Sequence, residues 1–304
     1  MRYICLLSVF LCTLARAQSV PPPTNGRLGG HPPSGWEHVK LKPVTLPPNA
    51  TISIAARALR GTVVIVWNGN SYGTGFWLDD THVATCYHVV GNSAHVSIGV
   101  VEEDVGSIDP EDHTTKSSNM NEMTQGTVVA VDMQHDLAIV ASDSNVFVRN
   151  PRIGAFVVRG KVATPDLAIP TVRADELDDG DEVWLVGYPA GVQHPITQHG
   201  AISYLQKSLE DPRLGFYSPA YVLDQISNPG NSGGPLFDSH GAVAAILRGA
   251  PVIPPQEGVE PRPAEGISYA IPSRFLVKLA SNNNVKINVA PPRHRPTTKR
   301  KSEP

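Results

Sequence analysis

From Ile52 onward, short runs of β-branched and apolar residues alternate with clusters of Gly, Pro, Asn and Asp. Runs of this length bounded by turn formers predict strands, and a long series of them predicts an all-β sandwich or barrel. In the first half, strands are expected near Thr62–Trp67, Thr74–Leu78, His82–Thr85, His95–Val101, Gly126–Asp132 and Leu137–Ala141. In the second half they fall near Glu182–Val186, Gly200–Leu205, Ala220–Asp224, Pro235–Phe237, Ala242–Arg248 and Ile267–Ile271. The Asn68-Gly69 pair marks a hairpin turn. Six strands on each side predict two antiparallel β-barrels, joined near Val162–Val172, with ligands held in the crevice between them. Ser273 is placed to cap a short C-terminal helix ending by Asn282, whose Phe275, Leu276 and Leu279 are expected to pack on the second barrel.

Outside these runs the pattern breaks down. Residues 18–50 are rich in Pro and Gly without an apolar period, which predicts a flexible leader. Glu102–Gln125 carries Glu102, Glu103, Asp104, Asp109, Glu111 and Asp112 without periodicity and is expected to be an exposed loop, with calcium binding a minor alternative. Residues 286–304 form a basic tail, with Arg293, Arg295, Lys299, Arg300 and Lys301, for which disorder is the default expectation. The folded domain is thus expected over residues 51–285, with its two barrels at about 54–165 and 166–285.

The first seventeen residues read differently again. Arg2, the apolar run Tyr3–Leu14 and the small residues Ala15 and Ala17 have the layout of a secretory signal, so the mature chain would begin near Gln18. That run is too short to span a bilayer, which takes about 20 apolar residues. Cys5 and Cys12 would leave with the signal, so Cys86 alone remains and no internal disulfide can form. An exported chain without disulfides fits a bacterial periplasm, or secretion from a bacterium, better than an animal extracellular fluid. A hydrophobic share of 41% excludes wholesale disorder, and a net charge of -3 gives no reason to expect a nucleic-acid partner.

The chemistry concentrates in three places. Asn228-Pro229-Gly230-Asn231-Ser232-Gly233-Gly234-Pro235 is a tight turn presenting one hydroxyl among residues with little side chain. A nucleophilic serine needs backbone N–H groups aimed at the oxygen that becomes negative, and Gly230 and Ser232 are placed to supply them. The plain alternative is a Gly-rich hairpin with an incidental serine. A serine hydroxyl also needs a base, and the base needs an acid to fix its tautomer. Among eleven histidines, His88 closes the apolar run Val83–Tyr87, and Asp136 directly precedes Leu137–Val140. A satisfied core histidine and a turn aspartate are the ordinary readings of each taken alone.

Together, in the order His, Asp, Ser, these segments resemble the signature blocks of trypsin-like serine proteases. Unrelated triad folds use other orders. The resemblance is to the HtrA (Deg) type, through Gly73-Thr74-Gly75-Phe76, Thr85–Val90, Asp136–Val140, Gly187-Tyr188-Pro189, Asn228–Leu236 and Tyr269–Ser273, over roughly residues 54–280. It implies two perpendicular six-stranded barrels with His88, Asp136 and Ser232 as the triad, Gly230 and Ser232 as the oxyanion hole, and endopeptidase activity on polypeptides, as in protein quality control. No cofactor or metal is implied. Trimers are common in the family, so a homo-oligomer is a further expectation.

Several positions depart from the family pattern. HtrA proteins usually carry a PDZ domain after the protease, and too few residues follow here for one. Asn231 stands where digestive relatives have an aspartate that pairs with a newly cut N-terminus. The resemblance places the substrate backbone beside Ile246, Leu247 and Arg248, where Arg248 would either attract an acidic side chain or face solvent. Ile226 falls at the base of the specificity pocket and implies a preference for small aliphatic side chains. Asp224, eight residues before the serine, competes with Asp136 for the acid's role but reads as structural support. A catalytically silent domain that binds peptides or protein partners in the same groove is the competing function.

Overall fold

The computed structural model describes residues 37–38, 44, 59–99, 123–142, 147–149, 156–158, 161–163, 169–191, 195–211, 216–225, 227–253 and 262–293. Twelve of its strands close into two barrels. The first contains β1 (Val63–Trp67), β2 (Tyr72–Trp77), β3 (His82–Cys86), β4 (His95–Gly99), β5 (Met123–Asp132) and β6 (Leu137–Ser142). The second contains β7 (Glu182–Gly187), β8 (Ile196–Asp211), β9 (Phe216–Leu223), β10 (Pro235–Phe237), β11 (Val243–Gly249) and β12 (Ser268–Pro272). All twelve coincide with runs picked out by the hydrophobic pattern.

Both barrels have the same antiparallel order. It runs β1-β2-β3-β6-β5-β4 in the first and β7-β8-β9-β12-β11-β10 in the second, with the last strand pairing back to the first. Closure pairs both edges of each barrel sheet. Buried valines, isoleucines and leucines fill both interiors, as β-branched residues do on a pleated surface. One buried cluster runs from the first barrel across the junction to Phe237, Ile246 and Ile271, and a second fills the other barrel around Leu185, Leu223 and Leu247. Tyr221 lies in that second cluster, where burial pushes its phenol up to about 12 while its oxygen accepts the Leu177 N–H.

Two helices matter for the site. After β3 the chain turns once as α1 (Tyr87–Val90) and stops at Gly91, whose φ of 58° favours a residue without Cβ. The C-terminal α2 (Arg274–Asn282) ends where the pattern predicts, and it packs at the junction, against β12 of the second barrel and β5 of the first. Leu276 and Leu279 join the cluster that crosses the junction, and Phe275 stacks at 3.8 Å on His135, in the turn after β5. The reason lies in the chain path, because α2 starts at the end of β12, next to the junction. Ser273 does not cap it: its hydroxyl donates to Arg173 O at 2.7 Å, tying the helix start to the segment between the barrels.

The flanking segments also correct the sequence reading. Within the expected leader, Glu37–His38 pairs with Phe147–Arg149, and the N–H of Val44 donates to Ile169 O at 2.9 Å. Met123–Gln125, expected in a loop, opens β5 because it pairs with Ser97–Gly99. Arg293, assigned to a disordered tail, is held by Asp175, Asp178 and Asp181. Residues 1–17, the acidic run Glu102–Asp112 and residues 294–304 lie outside the described residues.

Candidate active site

The turn between β5 and β6 aims one carboxylate inward. Asp136 takes a φ of 56°, uncommon for a residue with a side chain, and its N–H donates to Met133 O at 3.3 Å. Its own carbonyl accepts the Tyr87 N–H at 3.0 Å, which fixes the turn against the start of α1. The buried carboxylate then meets His88 twice: Oδ1 accepts the backbone N–H at 2.8 Å, and Oδ2 lies 2.7 Å from Nδ1. A carboxylate only accepts, so the proton of the ring sits on Nδ1 and Nε2 is left as a base.

Ser232 lies in the loop from Asn228 to β10, and that loop is pinned to the first barrel. The Thr74 N–H donates to Ser232 O at 2.8 Å, while the Thr74 hydroxyl donates to Gly230 O at 2.7 Å and accepts the Tyr188 N–H at 3.0 Å. Two glycines are obligatory here. A Cβ on Gly233 (φ 85°) would fall 2.2 Å from both Thr74 O and Thr85 Oγ1, and one on Gly230 (φ 98°) would fall 2.3 Å from Tyr188 O. Gly73 shows how close the His88 and Ser232 segments come, since a Cβ there would meet Val89, next to His88, at 2.6 Å and Ser232 O at 2.7 Å.

The loop's hydrogen bonds engage only some of its donors. Asn231 donates its N–H to Asn228 O, Gly233 to Leu247 O and Gly234 to Asn231 O. Among the described residues, no carbonyl takes the N–H of Gly230 or of Ser232. Uncommitted N–H groups beside a hydroxyl are what a developing oxyanion requires. The hydroxyl itself donates to Arg248 O at 3.2 Å, and among the described residues no hydrogen bond joins it to His88.

The model of the trypsin-like peptidase domain matches residues 73–246, which contain all three of these side chains. The chain belongs to the trypsin-like peptidase family. Among trypsin-like relatives, it is 27% identical over 214 residues to "Protease Do-like 5, chloroplastic" of Arabidopsis thaliana, covering 69% of this chain and 57% of that one. It is also 27% identical over 214 residues to a "Probable periplasmic serine endoprotease DegP-like" of Ectopseudomonas mendocina (strain ymp), covering 69% of this chain and 34% of that protein. The chain thus spans from about a third to just over half of these relatives' lengths. The solved Rv3671c protease of M. tuberculosis in its active form shares the fold, with a TM-score of 0.53 and 19% identity over 82% of this chain and 92% of that one. An HtrA-type protease, AlgW with tripeptide, does so with a TM-score of 0.53 and 18% identity over 77% of this chain and 63% of that one.

Within this trypsin-like frame, the structure separates the two acid candidates. Asp224 is exposed and accepts the Ala201 N–H at 2.6 Å, bracing β8, while Asp136 holds His88. Asn231, instead of an activating carboxylate, donates its side-chain N–H to Gln198 Oε1 at 3.0 Å. Ile226 lies outside the described residues. Ile246 and Leu247 belong to the two cores and are fully buried, Ile246 is paired to the strands on both sides, and the Leu247 N–H and carbonyl are taken by Gly234 and Gly233, so in this arrangement neither expected substrate contact is open to a ligand. Arg248 does not face solvent: it is 1% exposed, with Nε 3.5 Å from Asp136 Oδ2.

Sequence reasoning missed that contact, and it missed the cross-barrel role of Thr74, whose one signal was a threonine between two glycines in a strand. The donor atoms of Cys86, His88 and Asp136 lie within 4.8 Å of one another, the one such trio among the described residues. Cys86 Sγ already donates to Leu247 O at 3.3 Å, and a metal ion there would face the Arg248 cation.

Proposed function

We propose that the chain is an exported serine endopeptidase that cleaves polypeptides through an acyl-enzyme on Ser232. The observation that carries this reading is the doubly bonded Asp136–His88 pair beside a serine whose loop leaves the Gly230 and Ser232 N–H groups uncommitted. A rotamer change moves the Ser232 hydroxyl from Arg248 O to Nε2 of His88. His88 then takes the proton as Oγ attacks the peptide carbonyl, and Asp136 stabilises the imidazolium. The N–H groups of Gly230 and Ser232 hold the oxyanion, and His88 returns the proton to the leaving amine. Water, activated by the same histidine, releases the acyl group.

Export is supported by the Arg2-to-Ala17 layout and by relatives named as periplasmic or chloroplastic. A role in protein quality control follows from the resemblance of the sequence blocks to the HtrA type, and the relative named as a DegP-like serine endoprotease supports the endopeptidase part of the reading. Among the described residues, no helix is long and apolar enough to cross a membrane. The hydrogen bond from Ser232 to Arg248 favours a second reading, a silent domain that binds peptides in the cleft.

A serine-reactive phosphonate distinguishes the two. The protease should take one label, mapped to Ser232 by mass spectrometry, lost in Ser232→Ala and strongly slowed in His88→Ala. Absence of any label would favour the binding domain.

A further inference from the structure

Arg248 touches both ends of the triad. β11 pairs Leu247 with Ala270 and Gly249 with Tyr269, so Arg248 is the extra residue of a bulge completed by Gly249 at φ 141°. A bulge re-aims the side chain it carries, and this one is sent inward. Arginine is rarely so deeply buried without a partner, and Asp136 is one here. At 3.5 Å the contact is too long to be a good hydrogen bond, so it fixes no orientation; it brings a positive charge against the carboxylate in a poorly screened interior. The carbonyl of the same residue holds the Ser232 hydroxyl.

We propose that Arg248 is a positioning residue that restrains the triad in a resting arrangement, an inference that rests on the serine-protease reading. Its guanidinium partly neutralises Asp136, leaving less negative charge to stabilise the imidazolium that forms when His88 takes the serine proton. Its carbonyl occupies the single hydroxyl proton of Ser232, which is then not directed at His88. Among the described residues, His88 from α1 and Cys86 from β3 bring their donor atoms within 4.8 Å of the Asp136 carboxylate. Full activity therefore requires the guanidinium to withdraw from Asp136 and the hydroxyl to turn.

The test follows phosphonate labelling of Ser232 in the full chain and in Arg248→Met, Arg248→Gln and Arg248→Lys, with thermal melting as the check on folding. Removing the charge should raise the maximal labelling rate constant about tenfold while leaving the concentration for half-maximal rate unchanged. Lysine should restore a rate near that of the wild type. Folded neutral variants that label no faster than wild type, or a lysine variant that accelerates as much as they do, would overturn the proposal. Should the neutral variants not fold, the structure of the phosphonylated wild type decides: Arg248 displaced from Asp136 supports the restraint, and Arg248 still within 4 Å of it contradicts it. Wild type that never labels refutes the protease reading itself, a separate outcome.

Discussion

At the scale of single residues, the site depends on backbone conformations that few side chains tolerate. Asp136 sits at φ 56° because its N–H, its carbonyl and both carboxylate oxygens are all engaged by the Met133–His88 surroundings. Asp136→Asn preserves this shape but permits the wrong histidine tautomer. Turnover of a peptide substrate should fall by about 10⁴-fold with little change in melting temperature. Gly233→Ala should act in the opposite sense, through the fold: a Cβ 2.2 Å from Thr74 O forces the loop away from β2. Chemical denaturation should show a loss of about 2 kcal/mol or more, accompanied by loss of labelling. Ser232, His88 and Asp136 were legible in the sequence because each sits in a short block with its own turn or strand composition. Arg248 was not, because the bulge that turns it inward is set by pairing with Tyr269 and Ala270, some twenty residues further along the chain.

At the scale of elements, strand positions were readable from alternation alone, whereas the packing of α2 was not. The helix has an apolar face, but that it also reaches the first barrel depends on where β12 ends and on the stacking of Phe275 with His135. Leu276→Ala empties a fully buried site, and a cost of about 2–5 kcal/mol in urea unfolding is expected. The segment after α2 is held by charge. Burial opposes ionisation of Asp175, yet the Arg293 N–H and the Arg173 guanidinium outweigh it and hold the carboxyl below its usual range. A carboxyl depressed in this way stabilises the fold above its unfolded pKa of about 4, and that contribution is lost as pH falls through the lower folded value. Asp79 and Asp132 follow the same rule: burial opposes them, and His82 and His135 outweigh it. Melting temperatures should therefore drop below about pH 4, and Asp175→Asn should flatten part of that drop.

At the scale of the whole molecule, neither barrel contains a complete site. The first contributes His88 and Asp136, the second contributes Ser232, and Thr74 joins them by bonds to Ser232 and Gly230. The six-and-six strand pattern announced two barrels, but not that a threonine of one would hold the Ser232 loop of the other, since that contact spans 156 residues. Thr74→Val strands two buried partners and should cost about 2–4 kcal/mol by denaturation, together with slower labelling of Ser232. The central claim is that this junction breaks peptide bonds with the Ser232 hydroxyl. Its most direct test is casein cleavage by the purified chain beside its Ser232→Ala variant. The account predicts cleavage by the first and a fall of roughly 10⁶-fold in the second. Equal cleavage by both would contradict it.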